Sequence, residues 1–259
     1  PFDFTAQDRQ LFQEFINPYW RGKSLQEAWS ARVPDNLRQF NAHSVIFSDL
    51  RIMRGPGELT AGYEFVITNG IASIRDMIEQ RLEACDLTTY DGYNDSVYLR
   101  ALMISCDGIM ALTQRYAELA TAMATAEKEP RRKAELEAIA SVCRWVPENP
   151  ARTFREAIQS LYCYHTCIQM HQQAPSYNPG RADRYLYPYF KNDVEEGCMN
   201  HAQGQELLEC LWIKFAESCL LQDCETAKYN AGYTVNQNIC CGGVTEDGRD
   251  AVNDVSFMM

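Results

Sequence analysis

The densest group of reactive side chains lies at residues 178–185, Asn-Pro-Gly-Arg-Ala-Asp-Arg-Tyr. Two guanidiniums, a carboxylate, an amide and a phenol stand there beside a glycine, a density typical of a binding loop. A guanidinium fork matches a carboxylate, so Arg181 can hold either Asp183 or the acid group of a bound molecule. The competing interpretation is structural, with Arg181 and Asp183 fixing the loop to the helix behind it. Asn178, Arg181, Asp183 and Tyr185 are the candidate substrate-binding residues.

A second group of potential ligands consists of Cys163, His165, Cys167 and His171. Structural zinc sites use four ligands, commonly from paired short spacings, and the sequence contains no Cys-x-x-Cys. Only Cys163, Cys167 and His171 share one face of a helix. We therefore expect no metal site and interpret these side chains as satisfied core residues.

The 11 cysteines are odd in number and spread through helical patterns. A secreted disulfide framework normally has an even number in a shorter chain. Reduced, mostly buried thiols in a reducing cytoplasm are expected instead.

The net charge of -11 argues against a nucleic-acid partner, because phosphate backbones require a basic face. We find no uninterrupted apolar run of the length that a membrane-spanning helix needs, and no signal-peptide pattern at the start. A cytoplasmic protein without a membrane partner is the expectation.

Apolar residues recur at helical spacing through most of the chain. Ser24 and Glu27 match a capping box, and Thr153 is predicted to cap a strongly apolar helix. Helices are predicted over about 4–18, 63–85, 95–129, 154–170 and 203–217, and from 251 onward. Residues 41–60 are predicted to form a loop or a short strand, and residues 172–188 a loop. A strand is predicted at 232–244. The predicted fold class is mainly α with a few β-strands.

The two ends suggest an excerpt. The chain begins at Pro1 without a methionine and ends in the apolar run Ser256–Met259 with no helix stop. We expect residues 1–259 to be part of a single domain, truncated at the C-terminus and also at the N-terminus.

Several stretches, in order, resemble blocks of the glycyl radical enzymes of the pyruvate formate-lyase-like family. They are Thr153–Ser160, the Pro-Gly-Arg loop with Tyr185–Tyr189, Leu208–Phe215, Gln237–Asn238, and Gly242–Val244 followed by Asp247, Gly248 and Asn253. A fainter similarity extends upstream through Arg115–Ala120, so the resemblance covers nearly the whole chain.

The resemblance implies that the chain is a fragment of a ten-stranded α/β barrel wrapped by helices. In this family a glycyl radical generates a thiyl radical on a cysteine, which abstracts hydrogen from the substrate, while a nearby Glu handles the proton in the dehydratase and lyase branches. A separate radical S-adenosylmethionine activase installs the glycyl radical, so no bound cofactor is expected. The full-length protein is expected to be a homodimer.

Two stretches resemble the motifs that carry the radical residues of the family. Cys240–Cys241 resembles the adjacent cysteines of pyruvate formate-lyase but precedes Gly242–Val244 and matches an earlier strand of the family. Ala231–Val235 resembles the tail of the glycyl radical motif, yet lies upstream of where the thiyl cysteine belongs. No catalytic residue is therefore assigned in this chain, and both radical residues are expected beyond Met259.

Departures from the family pattern make the substrate unsafe to transfer. Asn178 stands where many members have Ser, Ala182 and Arg184 replace a bulkier residue and a Gln, and Glu58 stands where several dehydratases have His.

The predicted activity of the full-length protein is radical elimination or cleavage on a small polar substrate such as a diol, hydroxyproline or choline. The alternative within the family is decarboxylation of an arylacetate. The alternative outside it is a non-catalytic helical binding or scaffold protein. The chain alone is expected to be inactive.

Overall fold

The computed structural model describes residues 5–42, 59–172, 176–218 and 237–259. Helices dominate these residues, as the sequence predicts. They are α1 (Ala6–Leu11), a π-helical turn (Phe12–Ile16), α2 (Asn17–Trp20), α3 (Leu25–Arg32), α4 (Asp35–Ala42), α5 (Tyr63–Asn69), α6 (Ile71–Glu83), α7 (Tyr90–Ala126), α8 (Pro130–Trp145), α9 (Phe154–Gln172), α10 (Ala182–Glu195), α11 (His201–Ala216) and α12 (Asp254–Met258).

The helix starts follow local capping chemistry. The Ser24–Glu27 capping box is confirmed at the start of α3, and the Thr153 hydroxyl accepts a hydrogen bond from the Glu156 N–H at the start of α9. Asn253 caps α12 through its side chain. The prediction that Pro18 ends the first helix is wrong, because helical backbone continues through Pro18 to Trp20 directly after the π-helical turn.

Helix α9 is the centre of the molecule. It packs against α5, α8, α10 and α11, while the long α7 packs against α6 and α8. The main core is formed by side chains from these elements, including Phe154, Leu161, Phe190, Leu208 and Phe215. Burial of large apolar side chains such as these contributes about 1.5–3 kcal/mol each. This burial holds the neighbouring helices against α9.

One predicted helix is divided into α5 and α6 at Gly70. This residue has a φ of 74°, and a Cβ there would lie 2.6 Å from the Asn149 carbonyl carbon. The break lets Ile71 and Ala72 donate backbone hydrogen bonds to the carbonyls of Pro147 and Glu148.

The loop predicted over 172–188 is wrong in its second half, because α10 begins at Ala182 and contains Pro188. The missing N–H of a proline normally breaks a helix by leaving the carbonyl four residues back without its donor. Pro188 is exposed, so water can hydrate that carbonyl, and the buried side chains of Leu186 and Phe190 hold the helix on the core.

Short extended segments take the place of the predicted strands. Leu59 pairs with Tyr177 and Gly180 pairs with Ile239, both in parallel orientation, and Val244 pairs with Asp250 in antiparallel orientation. The described part of the chain contains these bridges and no regular strand. The strand predicted over 232–244 is thus wrong where it is described, and its first half lies outside the described residues, as does most of the loop predicted at 41–60.

Helix α7 bears on the expectation that the protein has no membrane partner. Within the described residues it is the one helix long and apolar enough to cross a membrane by length and composition, which is weak evidence by itself. Its Asp107 carboxylate pairs with the Arg75 guanidinium of α6 at 2.7 Å.

The nine described cysteines are free thiols. The expectation of burial is confirmed for Cys106, Cys143 and Cys163 but is wrong for four exposed residues, Cys198, Cys210, Cys240 and Cys241.

Candidate functional site

The loop that precedes α10 lies between two extended segments. On one side the Asn178 N–H donates to the Leu59 carbonyl at 2.8 Å. On the other side the Cys240 N–H donates to the Gly180 carbonyl at 2.8 Å. A φ of 66° at Gly180 turns the chain out of this pairing and into the helix. The loop is therefore fixed on both edges by backbone hydrogen bonds.

The Asn178 side chain reinforces this arrangement. Its Oδ1 accepts hydrogen bonds from the Ser176 hydroxyl at 2.7 Å and from the Asn238 N–H at 2.8 Å. Its Nδ2 makes no hydrogen bond to the described residues, and the residue is partly exposed. The amide thus keeps donors that a ligand can use.

Arg181 does not hold Asp183. Its guanidinium donates to the carbonyls of Gly242 at 2.8 Å and Val244 at 3.2 Å. No carboxylate of the described residues forms an ion pair with it, so its positive charge is unneutralised there. Guanidinium has five N–H donors, and those left over suit the oxygens of an acid group.

Asp183 is a buried clamp. The residue is only 1% exposed. Its Oδ2 accepts hydrogen bonds from the Gly242 N–H at 2.6 Å and from the Ser256 hydroxyl at 2.5 Å. Its Oδ1 is buried without a partner among the described residues. Asp183 therefore joins α10 to the segment 242–256.

Tyr185 is also buried, and its hydroxyl donates to the Pro179 carbonyl at 3.0 Å. Burial raises the pKa of this phenol well above its usual value, and the charge of Asp183 adds to the effect. The phenol is neutral at physiological pH, and its proton stabilises the loop.

The four sequence-predicted residues therefore lie together, Asn178 and Arg181 in the loop and Asp183 and Tyr185 in the first turn of α10. The structural interpretation expects Arg181 and Asp183 to fix the loop to the helix behind it, whereas their side-chain partners lie in 242–256. Asn178 and Arg181 have N–H donors without a partner among the described residues, whereas Asp183 and Tyr185 are buried. Substrate contact by any of the four stays a prediction.

His165, one of the potential ligands considered in the sequence, is fully buried. Its Nδ1 lies 2.9 Å from the Tyr63 hydroxyl, and its ring contacts Phe215 with centroids 4.6 Å apart. Its Nε2 is buried without a partner in the described residues, so the interpretation of a fully satisfied core residue is wrong for this atom. Burial lowers the pKa of His165 to about 4. A polar residue on the apolar face of α9 was the available sequence signal.

Of the two stretches that resemble the radical motifs of the family, only Cys240–Cys241 lies within the described residues. Cys240 and Cys241 are exposed residues. Partial loss of hydration at the Cys241 thiol, together with the charge of Asp183, raises the pKa of that thiol. The stretch 231–235 lies outside the described residues. Within the described part of the chain, no three His, Cys, Asp or Glu side chains are grouped closely enough to hold a metal ion.

The described structure is thus a set of helices packed around α9, with isolated parallel bridges on both sides of the Pro-Gly-Arg loop. The whole chain, residues 1–259, matches the family described as pyruvate formate lyase-like. The chain belongs to this family.

Known relatives agree with this assignment. The isethionate sulfite-lyase of Nitratidesulfovibrio vulgaris is 32% identical over 100% of this chain and 32% of its own length. A solved structure from work on 1,2-propanediol dehydration in Roseburia inulinivorans superposes with a TM-score of 0.90 at 33% identity, covering 98% of this chain and 30% of that one. The hydroxyproline dehydratase of Clostridioides difficile gives a TM-score of 0.87 at 33% identity, with 98% and 32% covered.

These relatives are glycyl radical dehydratases and lyases. The chain spans about a third of the length of the curated relatives that it matches. A shorter match, 30% identical over 58% of this chain, is to the indoleacetate decarboxylase of Tractidigestivibacter scatoligenes.

Proposed function

We propose that the protein containing this chain is a glycyl radical enzyme that eliminates a leaving group from a small polar substrate. The observation that carries the proposal is the match of the whole chain to this family, with relatives that act as dehydratases and sulfite-lyases. The same match weighs against a non-catalytic scaffold protein. The thiyl cysteine and the radical glycine are supplied by residues outside 1–259, and an S-adenosylmethionine-dependent activase installs the radical.

The role of this chain is to form one wall of the substrate cavity. Asp183 and Tyr185 hold the loop in place from beneath. Asn178 and Arg181 offer the substrate their unused N–H donors. Because the Arg181 charge has no ion-pair partner in the described residues, a substrate with a carboxylate or sulfonate fits this wall better than an uncharged diol.

The net chemistry needs no external oxidant. Hydrogen abstraction from the carbon next to the leaving group gives a substrate radical, loss of the leaving group gives a product radical, and the hydrogen atom is then returned. Substrate yields one unsaturated or carbonyl product plus water, an amine or sulfite. A homodimer in the cytoplasm is part of the same proposal.

Decarboxylation of an arylacetate is the second candidate, favoured by the partial match to indoleacetate decarboxylase. In that case Arg181 would bind the carboxylate that is lost as carbon dioxide.

The test uses the complete protein, purified without oxygen and treated with its activase. We expect a carbon-centred radical in the electron paramagnetic resonance spectrum and turnover of at least one compound in a panel of isethionate, hydroxyproline, propanediol, glycerol, choline and indoleacetate. Absence of the radical after treatment with a demonstrably active activase contradicts the proposal. Carbon dioxide release from indoleacetate alone selects the second candidate.

A further inference from the structure

Two thiols from facing helices lie at the bottom of one surface groove. Cys143 of α8 and Cys163 of α9 both line a cavity of about 210 Å³ between α7, α8 and α9. Their residues are 5% and 6% exposed, and both are free thiols. The groove is separate from the loop of Asn178 and Arg181, none of whose residues line it.

The groove is apolar. Its large lining side chains include Leu112, Tyr116, Leu119, Met123, Leu136 and Ile139. Arg132 is the one charged residue among the described lining residues, and its guanidinium pairs with the Glu135 carboxylate at 3.0 Å. The groove therefore favours uncharged molecules over ions.

The two thiols differ in reactivity. The neighbouring Cys163 thiol lowers the pKa of Cys143, whereas the Cys143 thiol and burial raise the pKa of Cys163 well above its usual value. Cys143 is thus the sulfur that ionises first, and the thiolate is the nucleophilic form. The Gln159 side chain donates to the Cys163 sulfur at 3.2 Å and fixes it beside its neighbour.

We propose that Cys143 and Cys163 form a dithiol site that reacts with a small uncharged disulfide entering this groove. In the first step the Cys143 thiolate attacks one sulfur of the disulfide, forming a mixed disulfide and expelling one thiolate. In the second step Cys163 gives up its proton and attacks the Cys143 sulfur, expelling the second thiolate. The protein dithiol is oxidised to a disulfide, and the reagent is reduced to two thiols.

The product is a covalent link between α8 and α9. This link concerns neither the substrate loop nor the radical residues, so the inference goes beyond the proposed function and can fail independently of it.

The experiment treats the complete, reduced protein under nitrogen with dithiodipyridine, an uncharged disulfide, and separately with the anionic dithiobis(nitrobenzoate). Proteolysis and mass spectrometry then identify the modified cysteines. We expect a peptide pair linked through Cys143 and Cys163 in the wild-type protein. We also expect the preference for the uncharged reagent to be greater at Cys143 than at the exposed Cys198.

Three variants separate the roles. Cys143→Ser removes the link, Cys163→Ser stops the reaction at the mixed disulfide on Cys143, and Cys167→Ser is the matched control. Cys167 lies one helical turn from Cys163 on α9 but does not line the groove, so its loss leaves the link unchanged. Absence of the linked pair in the wild-type protein overturns the proposal, as does a Cys163–Cys167 link in its place. An equal reagent preference at Cys143 and Cys198 overturns the role of the groove.

Discussion

The Asp183 carboxylate accepts a hydrogen bond from the Gly242 N–H at 2.6 Å, which ties the first turn of α10 to a residue 59 positions further along the chain. Arg181 binds the Gly242 carbonyl from the same side. Gly242 is thus held at its N–H by a carboxylate and at its carbonyl by a guanidinium. The loop depends on this double hold for its shape.

Replacing Asp183 with Ala should destabilise the protein by about 2–4 kcal/mol, because the buried Gly242 N–H loses its acceptor at a cost of about 1–3 kcal/mol and the partly buried Ser256 hydroxyl loses a hydrogen bond worth about 1 kcal/mol. Urea unfolding of the complete protein measures the loss. Glu195→Ala, at an exposed ion pair with Lys191, should change stability by at most about 0.5 kcal/mol. A similar small effect for Asp183→Ala would show that the clamp is dispensable.

Arg181→Lys tests for contact with a substrate acid. A lysine offers a point charge and cannot donate as a fork to both carbonyls. If the spare N–H groups bind an acid group, kcat/KM should fall at least about tenfold more for an acidic substrate than for a neutral diol, a difference of about 1.4 kcal/mol.

The matched control is Arg184→Lys, at an exposed residue that pairs with Glu246 at 3.2 Å. It should leave both substrates unaffected. Equal losses on acidic and neutral substrates in Arg181→Lys would assign that residue a purely structural role.

Asn178→Asp separates holding the loop from binding a ligand. The aspartate keeps an acceptor for Ser176 and Asn238, so unfolding should change by about 1 kcal/mol at most. It replaces the free Nδ2 donors with a second acceptor, so KM for an anionic substrate should rise about tenfold or more. Steady-state kinetics measure this. An unchanged KM would remove Asn178 from the cavity wall.

His165 should make stability depend on pH. Its pKa is about 4 in the folded protein and 6.5 unfolded, so the unfolded state binds more protons between these values. Stability contributed by the neutral imidazole is complete above pH 6.5, falls as the pH drops through this window and stops falling below about 4. Between pH 7 and pH 5 the loss from this residue should be about 2 kcal/mol.

The control for that loss is His165→Phe, which cannot titrate. Urea unfolding at both pH values in the two proteins isolates the contribution of His165 from those of the carboxylates. The same pH slope in both proteins would mean that His165 is protonated without penalty in the folded state.

Local chemistry made the helices predictable from sequence. Caps at Ser24 and Thr153 act within a few residues, so their positions could be deduced without knowing the fold. Pro188 could not be placed, because a helix that contains a proline survives only when burial of side chains such as Phe190 compensates, and burial is a tertiary property.

The sequence indicated the candidate residues but not their partners in the fold. The density of polar groups around Arg181 was visible in the sequence, whereas its bonds to Gly242 and Val244 span more than sixty residues. Such pairings leave no local pattern. The surroundings of His165, whose Nε2 has no partner among the residues that the structure describes, were hidden for the same reason, since they come from α5, α9 and α11.

The parallel pairing of Leu59 with Tyr177 joins residues more than a hundred positions apart. Gly180 also pairs in parallel orientation with Ile239, over a shorter separation. Closing loops of that length costs chain entropy before any contact repays it, whereas the α7–α8 hairpin needs only neighbouring residues. During synthesis the hairpin should therefore assemble early, and the Pro-Gly-Arg loop should acquire its final geometry among the last events of folding, once Gly242 has left the ribosome.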